Sequence, residues 1–360
     1  MMTLCFSLVL NPFCPLRLLA WAGLIGPLPG KTLHSAPTAR SARGINVNAA
    51  FRLRFAAFAV LSCLGSLVAA WSLAAEGFAL SDIPGQSLEV KLDGKPVARY
   101  EYAYDAERFH DTYKPFLHVL DEAGKAPITK GPGGFYTHHR GIFIGWSKLT
   151  VDGQSYNLWG MGSGAQIHQK FLAQEAGADQ ASFTAEVHWK AKSGELLLEE
   201  QRTFVFQRRP SPTLVLVEVA SALKAVGGDV VFNGDPEHAG VHYRPADELD
   251  KTQTRYLFPQ DGNDPRKDKD LPWAAVTYLL GDKPYTVQQM DHPGNPRDTI
   301  WSAYRDYGRF GAFVKPEAKR GESLTLRYRF WALAGTARRG RNSSNSGRNS
   351  PSRNVITGVE

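Results

Sequence analysis

The chain has 360 residues, 43% of them apolar and 21% charged, and is therefore long enough to bury a full-sized hydrophobic core. Its formal net charge of +7 is uneven, because residues 1–75 carry +6, residues 336–360 carry +4, and the middle of the chain, residues 76–335, carries −3. A mildly acidic middle argues against the nucleic-acid binding that a basic chain would otherwise suggest.

All three cysteines, Cys5, Cys14 and Cys63, precede residue 76. The middle of the chain therefore has neither a disulfide framework nor a cysteine–metal site. This pattern fits an exported protein whose stability depends on its core.

Residues 51–75 have the pattern of a secretory signal peptide. Arg52 and Arg54 precede an uncharged apolar run, and small residues come just before Glu76. The alternative is a membrane anchor, because the run is about long enough to span a bilayer. We expect an exported protein, periplasmic or extracellular, whose mature domain does not contact a membrane unless this segment is retained as an anchor. Residues 1–50 are interpreted as a linker or an over-extended gene start.

Residues 76–335 alternate between short strand-like segments and turn residues, which predicts one all-β domain. Ser87–Leu92 alternates with a period of two and leads into Asp93-Gly94, a hairpin signal. Strands at this spacing predict an antiparallel β-sandwich, with a large super-sandwich or a jelly roll as its possible forms. The other predicted strands are 98–104, 116–119, 141–146, 181–189, 196–206, 213–220, 229–232, 274–280, 285–290, 310–314 and 323–333. Residues 336–360 are basic and of low complexity, so we expect a disordered tail.

The first candidate cluster follows a glycine-rich turn and contains Tyr136, His138, His139 and Arg140. In a strand, His138 and Arg140 would share one face and His139 would point to the other. Both histidines could enter one site only if the chain turns there, which the preceding glycines allow. The alternative is that one histidine satisfies a hydrogen bond at a sheet edge.

The second cluster contains His238, His242 and Arg244, which have the same strand parity, with Gly240 between them leaving room for a ligand. Two imidazoles and a guanidinium on one face are costly to bury without partners, which favours a solvent-lined pocket over a satisfied surface network. We expect the two clusters to meet in one concave site.

A third candidate is Asp291 followed by His292, where the carboxylate could orient the imidazole or help to hold a metal. The alternative is an ordinary turn, in which Asp and Asn are common. Glu199, Glu200 and Arg202 lie on a strand-like run and are interpreted as a solvated face.

Histidines with carboxylates suit acid–base chemistry next to a carbonyl or at an anomeric centre. They also suit a divalent metal, although no HExxH motif occurs and the cofactor stays unknown. Nearby aromatic residues offer flat apolar faces to a sugar ring. The candidate catalytic residues are His138, His139, His238, His242 and His292. The candidate substrate-binding residues are Tyr136, Arg140, Trp146, Trp159, Tyr243, Arg244 and Asp291.

Three segments, 129–146, 234–244 and 291–296, carry a family resemblance. With them, the chain resembles the PmoA-like family of exported bacterial proteins, often labelled "methane oxygenase PmoA", over about residues 85–333. The resemblance implies an exported all-β sandwich that acts near carbohydrate degradation. The methane label does not fit, because residues 76–335 lack the long apolar spans of a membrane subunit.

We therefore expect an exported protein that acts on a carbohydrate or sugar derivative, as a hydrolase or lyase using histidine acid–base chemistry. Two alternatives stay open: a non-catalytic carbohydrate-binding or cell-surface β-sandwich, and a histidine-rich metal-site enzyme. In each case the expected ligand is a small molecule or a glycan and not a nucleic acid.

Overall fold

The computed structural model describes residues 76–160 and 162–337. The expectations for the linker at 1–50, the signal peptide at 51–75, the three cysteines and nearly all of the basic tail fall outside these residues. The domain boundaries at 76 and 335 stay a prediction, and the strands lie between Phe78 and Ala334.

The regular secondary structure of the described residues is almost entirely β-strand, which confirms the all-β prediction. The strands are β1 (Phe78–Ile83), β2 (Ser87–Leu92), β3 (Lys95–Glu101), β4 (Phe116–Val119), β5 (Ile142–Trp146), β6 (Lys148–Val151), β7 (Gln154–Tyr156), β8 (Gly164–Ala176), β9 (Gln180–Ala191), β10 (Leu196–Gln207), β11 (Thr213–Ala225), β12 (Val230–Asn233), β13 (Ala239–Tyr243), β14 (Arg255–Leu257), β15 (Trp273–Leu280), β16 (Lys283–Asp291), β17 (Ile300–Trp301), β18 (Phe310–Phe313), β19 (Glu317–Ala318) and β20 (Ser323–Ala334). The described ranges also contain a short helix, α1 (Phe109–Thr112), and a 3-10 turn (Lys251–Gln253). Neither helical element has the length and hydrophobicity needed to cross a membrane.

The strands form three antiparallel sheets. The first sheet has the order β1-β2-β3-β4-β5-β13-β18-β17, and the second has the order β14-β15-β16-β20-β11-β10-β9-β8. A third, four-stranded sheet has the order β19-β12-β6-β7. The Asp93-Gly94 turn joins β2 to β3 with positive φ at both residues, 51° and 78°, which is the backbone geometry of a tight hairpin.

The hydrophobic core lies between the two eight-stranded sheets, which confirms the antiparallel sandwich. Trp146 of the first sheet packs against Trp189 of the second, with ring centroids 5.8 Å apart. Tyr243 and Tyr278 join the same two sheets through a hydroxyl–hydroxyl hydrogen bond of 2.6 Å. Strand alternation therefore directs one face of β5 and β13 into the core and leaves the opposite face for a site.

The interpretation of Glu200 and Arg202 as a solvated face was wrong, because both side chains are buried. They form an ion pair at 2.7 Å, and Glu200 also accepts hydrogen bonds from Trp189 and Ser221. Arg202 donates to the backbone oxygen of Pro115 at 3.1 Å. The charges can be buried because each has several partners, and the pair ties the second sheet to the segment before β4.

Candidate functional site

The candidate site lies on the face of the first sheet that points away from the main core. His242 on β13 is opposite Phe143 on β5 and Gly311 on β18. Phe143 packs in a small apolar cluster with Phe116 and Trp159, separate from the main core. The next residues along β5 and β13 face the core, as the period of two requires.

His242 is held in one tautomer. Its Nε2 donates to the backbone oxygen of Ala239 at 2.8 Å, which leaves Nδ1 to accept a hydrogen bond from Arg309 Nη1 at 3.1 Å. Gly311 makes room for the ring, since a Cβ there would lie 2.4 Å from its carbon atoms. Burial, and secondly the charge of Arg309, lower the pKa of His242 well below its ordinary value, so the ring is neutral.

Trp159 brings the two predicted clusters together. Its ring centroid is 4.6 Å from that of His242, 6.2 Å from that of His238 and 6.2 Å from that of His139. The segment before Trp159 lies directly on β5, where a Cβ on Gly145 would be 2.6 Å from the backbone oxygen of Leu158. The predicted meeting of the clusters is therefore observed.

The glycine-rich segment before β5 is a turn, so strand parity does not separate its two histidines. Tyr136 has a positive φ of 52°, and its backbone oxygen accepts a hydrogen bond from the amide of His139 at 2.8 Å. The rings of His138 and His139 consequently contact each other, with centroids 4.4 Å apart. Burial and the charges of Lys114 and His238 lower the pKa of His138 to about 4. Burial also lowers the pKa of His139 strongly, so both rings are neutral near pH 7.

His238 precedes β13 and is the exposed histidine of the group, with 47% of its side chain accessible. Its Nδ1 lies 2.9 and 3.0 Å from the carboxylate oxygens of Asp235. A carboxylate at Nδ1 orients the imidazole and leaves Nε2 for a ligand, as in hydrolase triads. We refer to His138, His139, His238, His242 and Trp159 as the histidine site.

The carboxylate of Glu237, which lies beside Arg309, is already engaged. Glu237 accepts hydrogen bonds from Arg305 Nε and Nη2 at 2.9 and 2.7 Å, and its Oε2 is 3.5 Å from Arg309 Nη2. Partial burial alone would raise the pKa of Glu237, but hydrogen bonds from Arg305 and Tyr304 outweigh it and hold the pKa below its ordinary value. Glu237 is therefore an ionised partner of the arginines.

Lys114, which sequence reasoning missed, lies buried beside the histidine site. Its Nζ donates to the backbone oxygen of Trp159 at 2.8 Å and is 4.2 Å from the ring centroid of Phe143. Burial, with smaller contributions from Arg140 and Arg202, lowers its pKa well below the ordinary value. No described carboxylate forms an ion pair with Lys114, and its surrounding sequence carries no recognisable motif.

The predicted ligand-binding roles of Arg140 and Arg244 are not supported by their contacts. Arg140 is fully buried and donates to the backbone oxygens of Thr137, His139 and His110 at 2.6–2.8 Å. These bonds hold the turn against the segment containing α1.

Arg244 donates from Nη1 to the backbone oxygen of Tyr307 at 2.7 Å and from Nη2 to Asp247 at 2.7 Å. Asp247 also binds Lys130 and the amide of Phe135, the latter at 3.0 Å. Arg244 and Asp247 therefore fix the turn to the end of β13, and their polar groups are largely used within the protein.

Trp146 and Tyr243 were assigned to substrate binding incorrectly, because both are fully buried between the two large sheets. The strand period explains this, since the even-numbered residues of β5 and the odd-numbered residues of β13 face the core. Tyr136, by contrast, is 50% exposed. Its ring stacks on that of His139, with centroids 5.2 Å apart, and packs at a tilt against that of Tyr307, with centroids 4.9 Å apart. Tyr136 and Trp159 are the predicted aromatic residues that lie at the site.

Asp291 is the last residue of β16 and His292 begins the turn that follows, where their hydrogen bonds are local to that turn. The carboxylate of Asp291 accepts hydrogen bonds from Asn295 at 2.6 Å and Thr299 at 3.4 Å, and burial raises its pKa to about 6. His292 Nδ1 accepts a hydrogen bond from the amide of Gly294 at 3.0 Å. Both side chains stabilise the turn, as the alternative interpretation expected.

A metal-binding arrangement is not found in the described ranges: no three or more His, Cys, Asp or Glu side chains are placed to share an ion. What the histidine site does contain is a group of buried polar atoms without hydrogen-bond partners. They are His138 Nε2, His139 Nδ1 and Trp159 Nε1, and Nη2 of the adjacent Arg309, 3.5 Å from Glu237 Oε2, also makes no hydrogen bond. Buried polar atoms are costly unless paired, so this group suits a ligand with several oxygen atoms.

Comparison with solved structures finds distant similarities. The chain is 13% identical to a heparan sulfate lyase HepC mutant from Pedobacter heparinus, with a TM-score of 0.37, over 76% of this chain and 38% of that one. It is 12% identical to the Slr1438 protein of Synechocystis sp. PCC 6803, with a TM-score of 0.34, over 71% of this chain and 94% of that one. A heparinase III, the BT4657 gene product, is 11% identical with a TM-score of 0.29, over 73% of this chain and 35% of that one. The chain thus spans little more than a third of the HepC chain or of the heparinase III chain.

No functionally curated protein matches this chain. A family model does match, over residues 87–345 and so over more than half of the sequence. The model is not that of the PmoA-like family, so the resemblance stated from the three segments was wrong. The chain belongs to DUF6807, a family of unknown function.

Proposed function

We propose that this domain binds a saccharide at the histidine site and changes it by acid–base chemistry. The observation that supports this most is the group of unpartnered buried polar atoms around Trp159, next to the exposed His238–Asp235 pair. A sugar presents several hydroxyl groups to such atoms and an apolar ring face to aromatic side chains.

His238 is the best-placed proton carrier. It is exposed, and its Nδ1 is held by Asp235, so Nε2 is available to take a proton while the carboxylate stabilises the charge that develops on the ring. His138 and His242 are neutral at pH 7 and would orient the ligand by hydrogen bonding and contact.

Elimination fits this site better than hydrolysis. A retaining or inverting glycosidase needs a pair of carboxyl groups, one of them protonated. Glu237 is instead held ionised by Arg305, and Asp235 is bound to His238. A lyase needs a base and a cation that neutralises a carboxylate on the sugar. We assign the first role to His238 and the second to Arg309, whose Nη2 makes no hydrogen bond and would exchange its 3.5 Å ion pair with Glu237 for the sugar carboxylate.

On a uronate-containing saccharide, His238 would act first as the base and then as the acid of the elimination. His238 Nε2 takes the proton from the carbon next to the carboxylate, and the electron pair forms a carbon–carbon double bond as the bond to the leaving sugar oxygen breaks. The imidazolium then returns the proton to that oxygen. Arg309 stabilises the negative charge that builds up on the carboxylate.

The experiment is to incubate the protein with uronate-containing and neutral polysaccharides and to follow two products. Elimination produces ultraviolet absorbance from the conjugated double bond, whereas hydrolysis produces reducing ends without it. His238→Ala is expected to lower turnover by about 10²–10⁴-fold with little effect on ligand affinity. His292→Ala, which changes an exposed turn histidine, is the matched control.

Two outcomes would count against the proposal. If new reducing ends form without double-bond absorbance, the reaction is hydrolysis and not elimination. The catalytic role would be excluded if the unchanged protein turned over no polysaccharide while His238→Ala and His242→Ala abolished saccharide binding.

Non-catalytic saccharide binding is the second candidate, favoured by the aromatic residues on the turn. Phe135 is 71% exposed and Tyr136 is 50% exposed, so two adjacent aromatic side chains on the turn are accessible to a ligand. In that case Phe135→Ala and Tyr136→Ala would weaken binding, and no product would form.

Export is part of the proposal, because residues 51–75 have the signal-peptide pattern. Expression in a bacterial host and sequencing of the secreted protein should give an amino terminus near Glu76. A terminus before residue 50 would contradict the predicted cleavage.

A further inference from the structure

A second feature, separate from the histidine site, is a cleft of about 390 Å³ between α1 and the ends of β8 and β9. Tyr104 and Phe109 are its aromatic lining residues, and Lys190 and Lys192 also line it. Gly164 lies at the start of β8, where a Cβ would be 2.0 Å from the backbone oxygen of Lys190. The volume is in the range of small-molecule sites.

The charge of this cleft is one-sided. Its lining contains Lys190 and Lys192 but neither Asp nor Glu, and within the described part of the chain neither lysine forms an ion pair. Tyr104 is 41% exposed, so an aromatic surface is available beside the lysines. Aromatic surface combined with unpaired cations suits a sugar ring that carries a carboxylate or sulfate group.

The cleft and the histidine site are connected through one buried side chain. Phe109, on the cleft, packs against Tyr113, with ring centroids 5.9 Å apart. The Tyr113 hydroxyl donates to the backbone oxygens of His138 and Trp159, each at 2.9 Å. The cleft is therefore a neighbour of the histidine site across Tyr113.

The loop that carries Trp159 makes a second connection. It runs on to Gly164, and the backbone oxygen of Ser163 accepts a hydrogen bond from the amide of Lys192 at 2.9 Å. The segment that covers His242 therefore ends at the wall of the cleft.

We infer that this cleft binds an acidic unit of the same saccharide chain, with Lys190 and Lys192 pairing with its carboxylate or sulfate groups. The identification of the ligand as a saccharide rests on the proposed function. It makes the substrate a polyanionic polysaccharide of more than one unit, held on both sides of Tyr113.

The test measures the affinity of the full protein for a uronate- or sulfate-bearing oligosaccharide and for its neutral counterpart by calorimetry. Lys190→Gln combined with Lys192→Gln should weaken binding of the acidic ligand on the order of tenfold and leave the neutral ligand unaffected. The matched control is Lys148→Gln combined with Lys224→Gln, which removes the same charge from two exposed strand lysines. Thermal midpoints of both double variants show whether the fold is retained.

The inference would be overturned if the Lys190/Lys192 double variant bound the acidic oligosaccharide as tightly as the unchanged protein. It would also be overturned if the Lys148/Lys224 control lost as much affinity for that ligand. If a single-stranded oligonucleotide bound more tightly than the saccharide and depended on the same lysines, the ligand of the cleft would be a nucleic acid and not a saccharide.

In turnover assays the Lys190/Lys192 double variant should have a higher KM and an unchanged kcat. Lysine-dependent binding without any turnover would refute the proposed reaction and leave the cleft assignment intact, so the two failures can be told apart.

Discussion

Arg309 donates a hydrogen bond from Nη1 to Nδ1 of His242 at 3.1 Å, so a buried guanidinium fixes a buried imidazole in one tautomer. A neutral histidine tolerates this cation because it presents a lone pair to it, whereas an imidazolium would repel it. The pair therefore keeps His242 uncharged at the base of the histidine site.

Arg309→Gln tests this relationship. The amide can still donate to Nδ1, but the positive charge is gone, so the pKa of His242 should rise while burial keeps it below its ordinary value. Nitrogen-detected NMR of the imidazole reports both the tautomer and the titration. A fall in the pKa on removal of the charge would contradict the assignment.

Gly311→Ala should displace the His242 ring, because the added Cβ would lie 2.4 Å from its carbon atoms. We expect destabilisation of about 1–3 kcal/mol, measured as the free energy of unfolding, and a loss of any saccharide turnover. Gly177→Ala is the matched control, since its nearest neighbour would be at 3.7 Å and its φ is ordinary. Similar losses in both variants would mean that crowding of His242 is not the cause.

His118 should make the fold sensitive to acid. Burial lowers its pKa to about 3, and its Nδ1 pairs with Thr129 Oγ1 at 2.8 Å. In the unfolded chain His118 has its ordinary pKa of about 6.5, so it takes up a proton there at a pH at which the folded protein does not. The stability associated with this group is therefore complete above about pH 6.5 and declines as the pH falls towards about 3.

The unfolding free energy of the unchanged protein should fall with pH between about pH 6 and about pH 4. His118→Gln should reduce the slope of this fall by about 1.4 kcal/mol per pH unit. Denaturant titrations across this range provide the measurement. The two proteins compared above pH 7 serve as the internal control, since the proton effect is absent there. An unchanged slope would show that His118 is not buried as a neutral ring.

Lys114→Met should stabilise the domain, because it removes a desolvated ammonium that has no carboxylate partner. The backbone oxygen of Trp159 would still accept the hydrogen bond from Tyr113. We expect a gain on the order of 1 kcal/mol in unfolding free energy and a rise in the pKa of His138. Lys148→Met, at an exposed position, should change neither quantity. A loss of stability in Lys114→Met would mean that the amine contributes more than its burial costs.

The strands with clear alternation could be predicted from the sequence. β2 has the predicted bounds, and β4 matches residues 116–119, since both alternate or run apolar between strong turn signals. β8 was missed although it has 13 residues. Register shifts after His168 and Phe171 interrupt its pairing with β9, and such bulges break the period of two on which prediction depends.

The meeting of the two histidine clusters could also be predicted, but not which neighbouring side chains are buried. The histidines were found because their clustering is visible in the chain, while Trp146 and Tyr243 were misplaced because aromatic residues suit a core equally well. Arg309 and Lys114 reach the site from distant positions in the sequence, and no local pattern marks them. Burial decides their roles, and burial follows from sheet packing and not from sequence spacing.

The close contacts at Gly145 and Gly311 have a practical consequence for engineering. A side chain at either position would collide with the Leu158 backbone or the His242 ring, so the strands beneath the site admit little variation. The turn at residues 131–137 is exposed over most of its length. A library intended to change ligand preference should therefore randomise that turn and hold the strand glycines constant.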